Sequence, residues 1–555
     1  MPSTDAEPVT SVRVELSAKV PSALGPPLAR ALTEAVRGLK GELGIPGGAA
    51  VEMSTTEQPL PLDRFLRLSV GGRLCRHPDR LLRRVYAFHA QCFGDATDRP
   101  SHLLDRVLGR RENEPGLDES TTVAFLTSIC LEAIKQAPAV LLGPEETAAY
   151  AAALPSSAKQ SYRRPSPTWL APLLQQVLNL RASLVAGRVV ADVLATRDAP
   201  ELVVEQLFER LRPGVVEILL SPLALEQVLD SPPQSMGEMF RFLREGLAAE
   251  LGLTYPPFTF VPASDLQGRT FAFRLGALRT TPFLGLGPDE CLVNETWEKV
   301  GDLKGRRAIN PATGAPAAII PLSARKSAED RGLTAWDARQ HLMLALAGAL
   351  RTNGRLFVTE SVAAEVIEKA SSMSPPLAQV LARSSLDKVD VTRVLRTLAA
   401  EEINIGNSIQ ILEILAERVH RSSRGSDAAT VPNCRDLVAD VRAGLRRQLR
   451  AKYSRRTETV VVYLLDPQIE KLAAATRGRG LDRREVDQVV GAVAAEMEFL
   501  PPTAQVPVLL TRRDLRPMIR ELTACELPQL SVLSYDDLPP DTNIQPVARI
   551  SLSSS

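Results

Sequence analysis

Nowhere in this 555-residue sequence does an apolar run approach membrane-spanning length. The longest, "HLMLALAGAL" from His341 and "VVVYLL" from Val460, fall well short of the roughly 18 to 20 residues a spanning helix needs, so no direct membrane span is expected. Charge excess is missing too. The 66 basic residues stand against 65 acidic ones, and a formal net charge of +1 gives no global field for nucleic acid or an anionic membrane. Six cysteines (Cys75, Cys92, Cys130, Cys291, Cys434, Cys525) include no Cys-x-x-Cys pair, which suits reduced thiols in a cytosol. The start, "MPSTDAEPVTSVRVEL", has no basic region followed by an apolar core, so no secretory signal is expected. P-loop, HExxH, GxSxG and strand-flanked GxGxxG motifs are all absent, and with them any reason to expect a cofactor or an enzyme. Aromatics make up only 4% of the chain, but 45% hydrophobic residues over this length suit several soluble lobes.

What the sequence does contain is strand, helix, strand units. From Pro507, Val508 to Leu510 reads as a buried strand, Leu515, Ile519 and Leu522 recur at helical spacing, and Leu530 to Leu533 returns to strand. The strand ends offer only Thr511, Ser534, Tyr535, Asp536 and Asp537, with no histidine or paired base, so the unit reads as scaffold. Together with Val460, its strands are expected in one sheet, buried on both faces.

The order of such units repeats. A strand at "VRVELSAKV" from Val12, a helix ending at Gly44 and a strand at "FLRLSVGGR" from Phe65 are echoed by "VVEILLSPL" from Val215, a helix ending at Gly252 and "FAFRLGALR" from Phe271. Downstream, "LTSICLEAIKQAPAVLLGPEETAAY" from Leu126 parallels "LMLALAGALRTNGRLFVTESVAAEV" from Leu342, each read as a helix, a short apolar strand and an acidic helix start. "RVVADVLATRDAPELVVEQLFER" from Arg188 parallels "RVLRTLAAEEINIGNSIQILEILAER" from Arg393. The sequence therefore predicts a multidomain α+β protein. A first copy occupies residues 1–212, a second 213–455, and a C-terminal α/β lobe 456–555. Polar linkers lie at Pro155 to Thr168 and Arg421 to Asn433, and the first copy is expected to pack against the second.

The stretch "PVLLTRRDLRPMIRELTACELPQLSVLSYDDLPP" closely resembles the C-terminal signature of the FlhA-type export-gate family (FHIPEP) of flagellar and injectisome type III secretion machines. "LREGLAAELGLTYPPFTFV" from Leu243, "INPATGAPAAIIPLSARKSAEDRGLTAWD" from Ile309, "VLRTLAAEEINIGNSIQILEILAE" from Val394 and "LLDP" at Leu464 resemble its four cytosolic subdomains in order, the second inserted at about 284–336. The resemblance implies a non-enzymatic docking or ring protein. Its partners would be secretion subunits, export chaperones and substrates, with neither nucleic acid nor metal, in the cytoplasm or at the cytoplasmic face of the inner membrane. A free cytosolic adaptor or regulator, no longer part of a gate, is one alternative; an uncharacterised enzyme, for which no convergent catalytic set is found in the sequence, is the alternative of another class. Family members begin with a multi-span membrane half. Here the first copy, with a shortened and altered second subdomain between Arg73 and Asp118 and no fourth, stands in that place.

In the family a dimple between the first two subdomains receives cargo-loaded chaperones and is lined by an acidic residue, an aromatic and a threonine. Carried over by motif, these positions fall on Asn310, Thr313 and Leu344, and none keeps the expected side chain. Three other sets bear on function. Cys75, His77, His89 and Cys92 have ligand chemistry for zinc, but their spacing fits no common module and a helix with a buried thiol is expected instead. Arg442, Arg446 and Arg450 share one helical face and read as a solvated face or assembly contact. Asp536 and Asp537 read as solvated residues at a strand end.

Overall fold

Alternating burial from Val9 to Ser17 turns Val12, Val14 and Leu16 to one side of a strand, and similar apolar patterns build four sheets among the described residues. The computed structural model describes all residues except 1–6, 61–63, 92–99, 111–115, 156–164, 197, 213, 230–232, 314–315, 385, 425–432, 455–457, 476–482, 498–507, 525, 528–529 and 553–555. Most of both expected linkers lies outside these. The chain forms two units, Met1–Phe357 and Val358–Ser555, and small sheets with helices in both give the α+β, multi-lobe class expected.

In the first unit, β1 (Val9–Ser17), β2 (Gly48–Thr56), β3 (Leu66–Val70) and β4 (Arg73–Cys75) are ordered β2-β1-β3-β4. Helix Gly25–Leu43 links β1 to the parallel β2, buries Leu28, Leu32, Val36 and Leu39, and stops at Gly44 in the left-handed region, φ 71°. The second sheet has the same plan. Strands β5 (Val216–Leu220), β6 (Phe258–Pro262), β7 (Thr270–Leu275) and β8 (Leu278–Arg279) run in the order β6-β5-β7-β8, with β9 (Phe283–Leu284) on β7. Helix Pro233–Leu251 links β5 to the parallel β6 and ends at Gly252, φ 70°. Register agrees as well as order: Arg13 pairs with Glu52 and Ser69, and Glu217 pairs in the same way with Thr259 and Arg274.

The two regions diverge after the hairpin. Between Arg73 and Asp118 the first holds helices Asp79–His89 and Pro100–Val107 and, among the described residues, no strand beyond β4. The second holds an antiparallel sheet of β10 (Glu290–Val293), β11 (Arg306–Ile309), β12 (Pro316–Pro321) and β13 (Ala335–Trp336), ordered β11-β12-β10-β13. Helices Glu119–Gln136 and Ala338–Thr352 follow. The short strands expected after them are 3-10 turns, Pro138–Leu141 and Gly354–Phe357. Pro138 brings no N–H to a ladder, and Val140 and Leu142 donate three residues back to Ala137 and Ala139.

The first region closes with helices Pro144–Ala153, Pro167–Asn179, Gly187–Leu194 and Pro200–Leu211. One core runs through it from Val12 to Phe208 and takes in Leu278 of β8. The β7–β8 hairpin is therefore docked on the first region. Ala277 N donates to Arg181 O at 2.6 Å, Lys135 Nζ to Arg279 O at 3.3 Å, and Arg84 reaches Thr281 at 3.2 Å with its guanidinium 5.0 Å from the Phe283 ring.

The second unit begins with helices Glu360–Met373, Pro375–Arg383, Lys388–Ala400, Ser408–Arg424, Cys434–Gly444 and Arg446–Tyr453. A wholly parallel sheet follows: β14 (Thr459–Leu465), β15 (Val508–Thr511), β16 (Ser531–Ser534) and β17 (Asn543–Ile550), ordered β16-β15-β14-β17. The three expected strands share this sheet, and β15 is buried along its whole length. One face packs Tyr463, Leu509 and Val532 under Ile469, Val489 and Ile519, and the other packs Val462, Leu510 and Leu533 with Tyr453 and Leu538.

Candidate protein-binding surfaces

The turn after β11 brings two of the three dimple positions together. Asn310, 2% exposed, accepts from the N–H groups of Ala312 and Thr313 at 2.9 and 3.2 Å through Oδ1, and its Nδ2 donates to Asn294 at 3.0 Å. Its side chain therefore builds the turn and is not offered to a partner, which corrects the expectation of a binding residue; a buried Asn–Asn bond satisfies what an exposed acid would give to solvent. Thr313 is exposed. Leu344, on helix Ala338–Thr352, is half-buried against the face of the β10–β13 sheet that carries Leu292, Ala308 and Ile319. The turn and this helix touch at Gly348, where a Cβ would lie 2.5 Å from Ala312 Cα. The three positions thus carry no charged side chain, with Thr313 exposed on the turn and Leu344 half-buried on the helix that the turn touches.

The arginine set is not one face. Leu445 breaks the stretch into two helices, Cys434–Gly444 and Arg446–Tyr453. Only Arg446 is exposed, and Arg450 pairs with Asp541 at 3.0 Å. Arg442 is interior, 1% exposed, so its reading as a surface contact is corrected. It donates to Asp537 through Nη2 at 2.7 Å and to Glu401 through Nη1 at 2.6 Å, while Arg516 holds Glu401 at 2.9 and 3.0 Å. Asp537, likewise 1% exposed, also accepts from Ser534 N at 2.8 Å and so is not a solvated strand end. Burial pushes Glu401 up, but Arg442 and then Arg516 pull harder and hold its carboxyl below the usual glutamate range. These ions join the helical part of the unit to its parallel sheet. Partly buried pairs flank them, with Asp440 bridging Arg513 at 2.5 Å and Arg418 at 2.8 Å.

Sequence reading missed Glu401 and Arg516 and placed Asp537 in solvent. Only Asp537 left a trace, because Ser534-x-x-Asp537 is a capping box and forms one. Of the zinc set, Cys92 lies outside the described residues. His89 shares a hydrogen bond with Ser128 at 2.9 Å, and among the described residues no three metal-ligating groups converge. No helix among the described residues is long and apolar enough to cross a membrane. Thr511, at a strand end, donates to Glu470 at 2.8 Å.

Two α+β sheets, an inserted antiparallel sheet, a helical bundle and a terminal parallel lobe define a multi-lobed scaffold of the kind found in the cytosolic domains of secretion gate proteins. The FHIPEP family matches residues 167–543, more than half of the chain, and the chain belongs to it. The match begins at Pro167, inside the region assigned above to the first copy. The flagellar biosynthesis protein FlhA of Salmonella typhimurium is 25% identical over 325 residues, covering 57% of this chain and 45% of that protein. FlhA of Bacillus subtilis is 22% identical over 327 residues, 56% of this chain and 45% of its own. The chain thus matches less than half the length of these curated relatives. The CdsV protein of Chlamydia pneumoniae has a similar fold, with a TM-score of 0.53 at 24% identity, covering 61% of this chain and 98% of that one. CdsV in its complex with CdsO gives a TM-score of 0.54, again at 24% identity, covering 60% and 97%.

Proposed function

We propose that this chain is a non-enzymatic component of a type III-type protein secretion apparatus. It works as an export-gate-like protein that docks export substrates, their chaperones and other secretion subunits at the cytoplasmic face of the inner membrane, in a ring of several copies. The observation that carries this reading is the family match, which runs through the second sheet, the inserted sheet, the helical bundle and the parallel lobe. The complex of CdsV with CdsO suggests a subunit of the CdsO kind as one partner. The shared order and register of the first two sheets support an internal duplication, with residues 1–212 and 213–455 as the copies.

Chaperone docking falls on the Thr313 and Leu344 surface. With a small polar side chain where a rigid aromatic would anchor a partner, the unaltered chain should bind weakly. Titrating it with a fluorescent chaperone–cargo complex from the same secretion system tests this. Thr313→Phe should tighten binding by about tenfold, the equivalent of one modest aromatic anchor. Equal affinity for both proteins would remove this surface from the reading.

A further inference from the structure

The second sheet carries an aromatic edge that the first lacks. Strand β6 is at the end of its sheet. Val216 N donates to Pro257 O at 3.0 Å and Ala263 N to Leu220 O at 2.8 Å, so residues of that parity bond inward to β5. The N–H and C=O groups of Phe258 and Phe260 therefore point away from the sheet, and among the described residues no strand pairs with them. Their rings stand on the helix side, with Phe240 of helix Pro233–Leu251 wedged against both at 5.4 and 5.3 Å between ring centres. Phe242, two residues on, is 62% exposed with Arg241 over its ring at 5.3 Å.

By register and by distance from the two capping glycines, the same places in the first lobe hold Val51, Met53, Leu32 and Glu34. Three of the chain's 14 phenylalanines, Phe240, Phe258 and Phe260, thus pack together half-buried beside an open edge, and aromatic clusters of this kind are enriched at interfaces. Arg244 adds a charge requirement. Its guanidinium lies 5.8 Å from the Phe258 ring and is half-buried, and among the described residues it has no carboxylate partner.

We infer that the β6 edge is a strand-addition site for an extended segment of another protein. The segment would carry, two residues apart on one face, an apolar side chain for Phe260 and a carboxylate for Arg244. Backbone bonds to Phe258 and Phe260 give the affinity, and the aromatic and cationic groups give the sequence preference. This site is separate from the Thr313 surface and stands whether or not the chain serves secretion.

The test uses the full chain and a fluorescein-labelled ten-residue peptide with threonine at alternate positions and leucine alternating with glutamate between them. Binding by fluorescence anisotropy is expected, together with slowed hydrogen exchange at Phe258 and Phe260. Replacing glutamate by lysine, or methylating the backbone nitrogens that face β6, should weaken it by about tenfold or more, as for loss of a charge-assisted bond or of a ladder. Arg244→Glu should reverse the preference towards the lysine peptide. Absence of binding, equal binding of the methylated peptide, or unchanged preference in Arg244→Glu would overturn the inference. So would a dimer in sedimentation that Arg244→Glu dissolves, which would make the edge a self-association surface.

Discussion

Arg442→Ala should destabilise the unit Val358–Ser555 by about 3–5 kcal/mol, the cost of leaving a buried carboxylate without its cation. Asp537 has no water to turn to, and Glu401 keeps only Arg516. The pair is not expected to be worth that much in itself. In Arg442→Met with Asp537→Leu, both desolvated charges vanish, and most of the loss should be recovered. The three tryptophans, Trp169, Trp297 and Trp336, all lie in the other unit, so their fluorescence does not report this effect. Hydrogen exchange at the amides of β15 and β16 does, and unchanged protection in Arg442→Ala would contradict the account. The pH dependence has a fixed sign. Because the folded carboxyl of Glu401 lies below its ordinary value of 4.5, its contribution is complete above that pH and is lost as pH falls further, through the depressed value. Acid should therefore loosen this junction.

Gly276→Val should undock the β7–β8 hairpin from the first region. Gly276 has φ +69°, and a Cβ there would stand 2.5 Å from the carbonyl oxygen of Arg181, the atom that accepts from Ala277. A left-handed backbone costs a branched residue roughly 1–2 kcal/mol, and the displaced hydrogen bond about 1 kcal/mol more. The matching hairpin of the first sheet supplies the control. Gly71, at the equivalent register with φ +53°, has no atom nearer its virtual Cβ than Val140 O at 3.8 Å, so Gly71→Val should show the backbone cost alone. Hydrogen exchange at Ala277 and Leu278 separates the two: a large loss of protection only in Gly276→Val is expected, and equal behaviour of both variants would mean that the hairpin is not held by this contact.

Much of the fold was legible because it rests on local rules. Alternation at Val12, Val14 and Leu16, glycine after Leu43 and Leu251, and the unbroken apolar run at Val508 each point to one structure, and each forms it. The 3-10 turn at Pro138–Leu141 was not legible, since four apolar residues in a row satisfy a strand or a turn equally until Pro138 and the neighbouring helices decide. The site was harder still. Arg442 and Glu401 are 41 residues apart and Arg442 and Asp537 are 95 apart, so helical spacing placed the arginines on a surface while a distant carboxylate drew one of them inside. Asn310 misled for the opposite reason: its position matched a binding residue, but an asparagine two residues before a free backbone N–H folds back on its own turn.

The most direct measurement for the proposed role is protein export from cells in which this chain is deleted and then restored. Secreted substrates in the medium would be quantified by mass spectrometry against intracellular pools. The account predicts that export through the cognate type III-type apparatus falls sharply on deletion while the substrates accumulate inside, and that the restored chain recovers it. Export that continues at the undeleted level, with the apparatus otherwise intact, would contradict it.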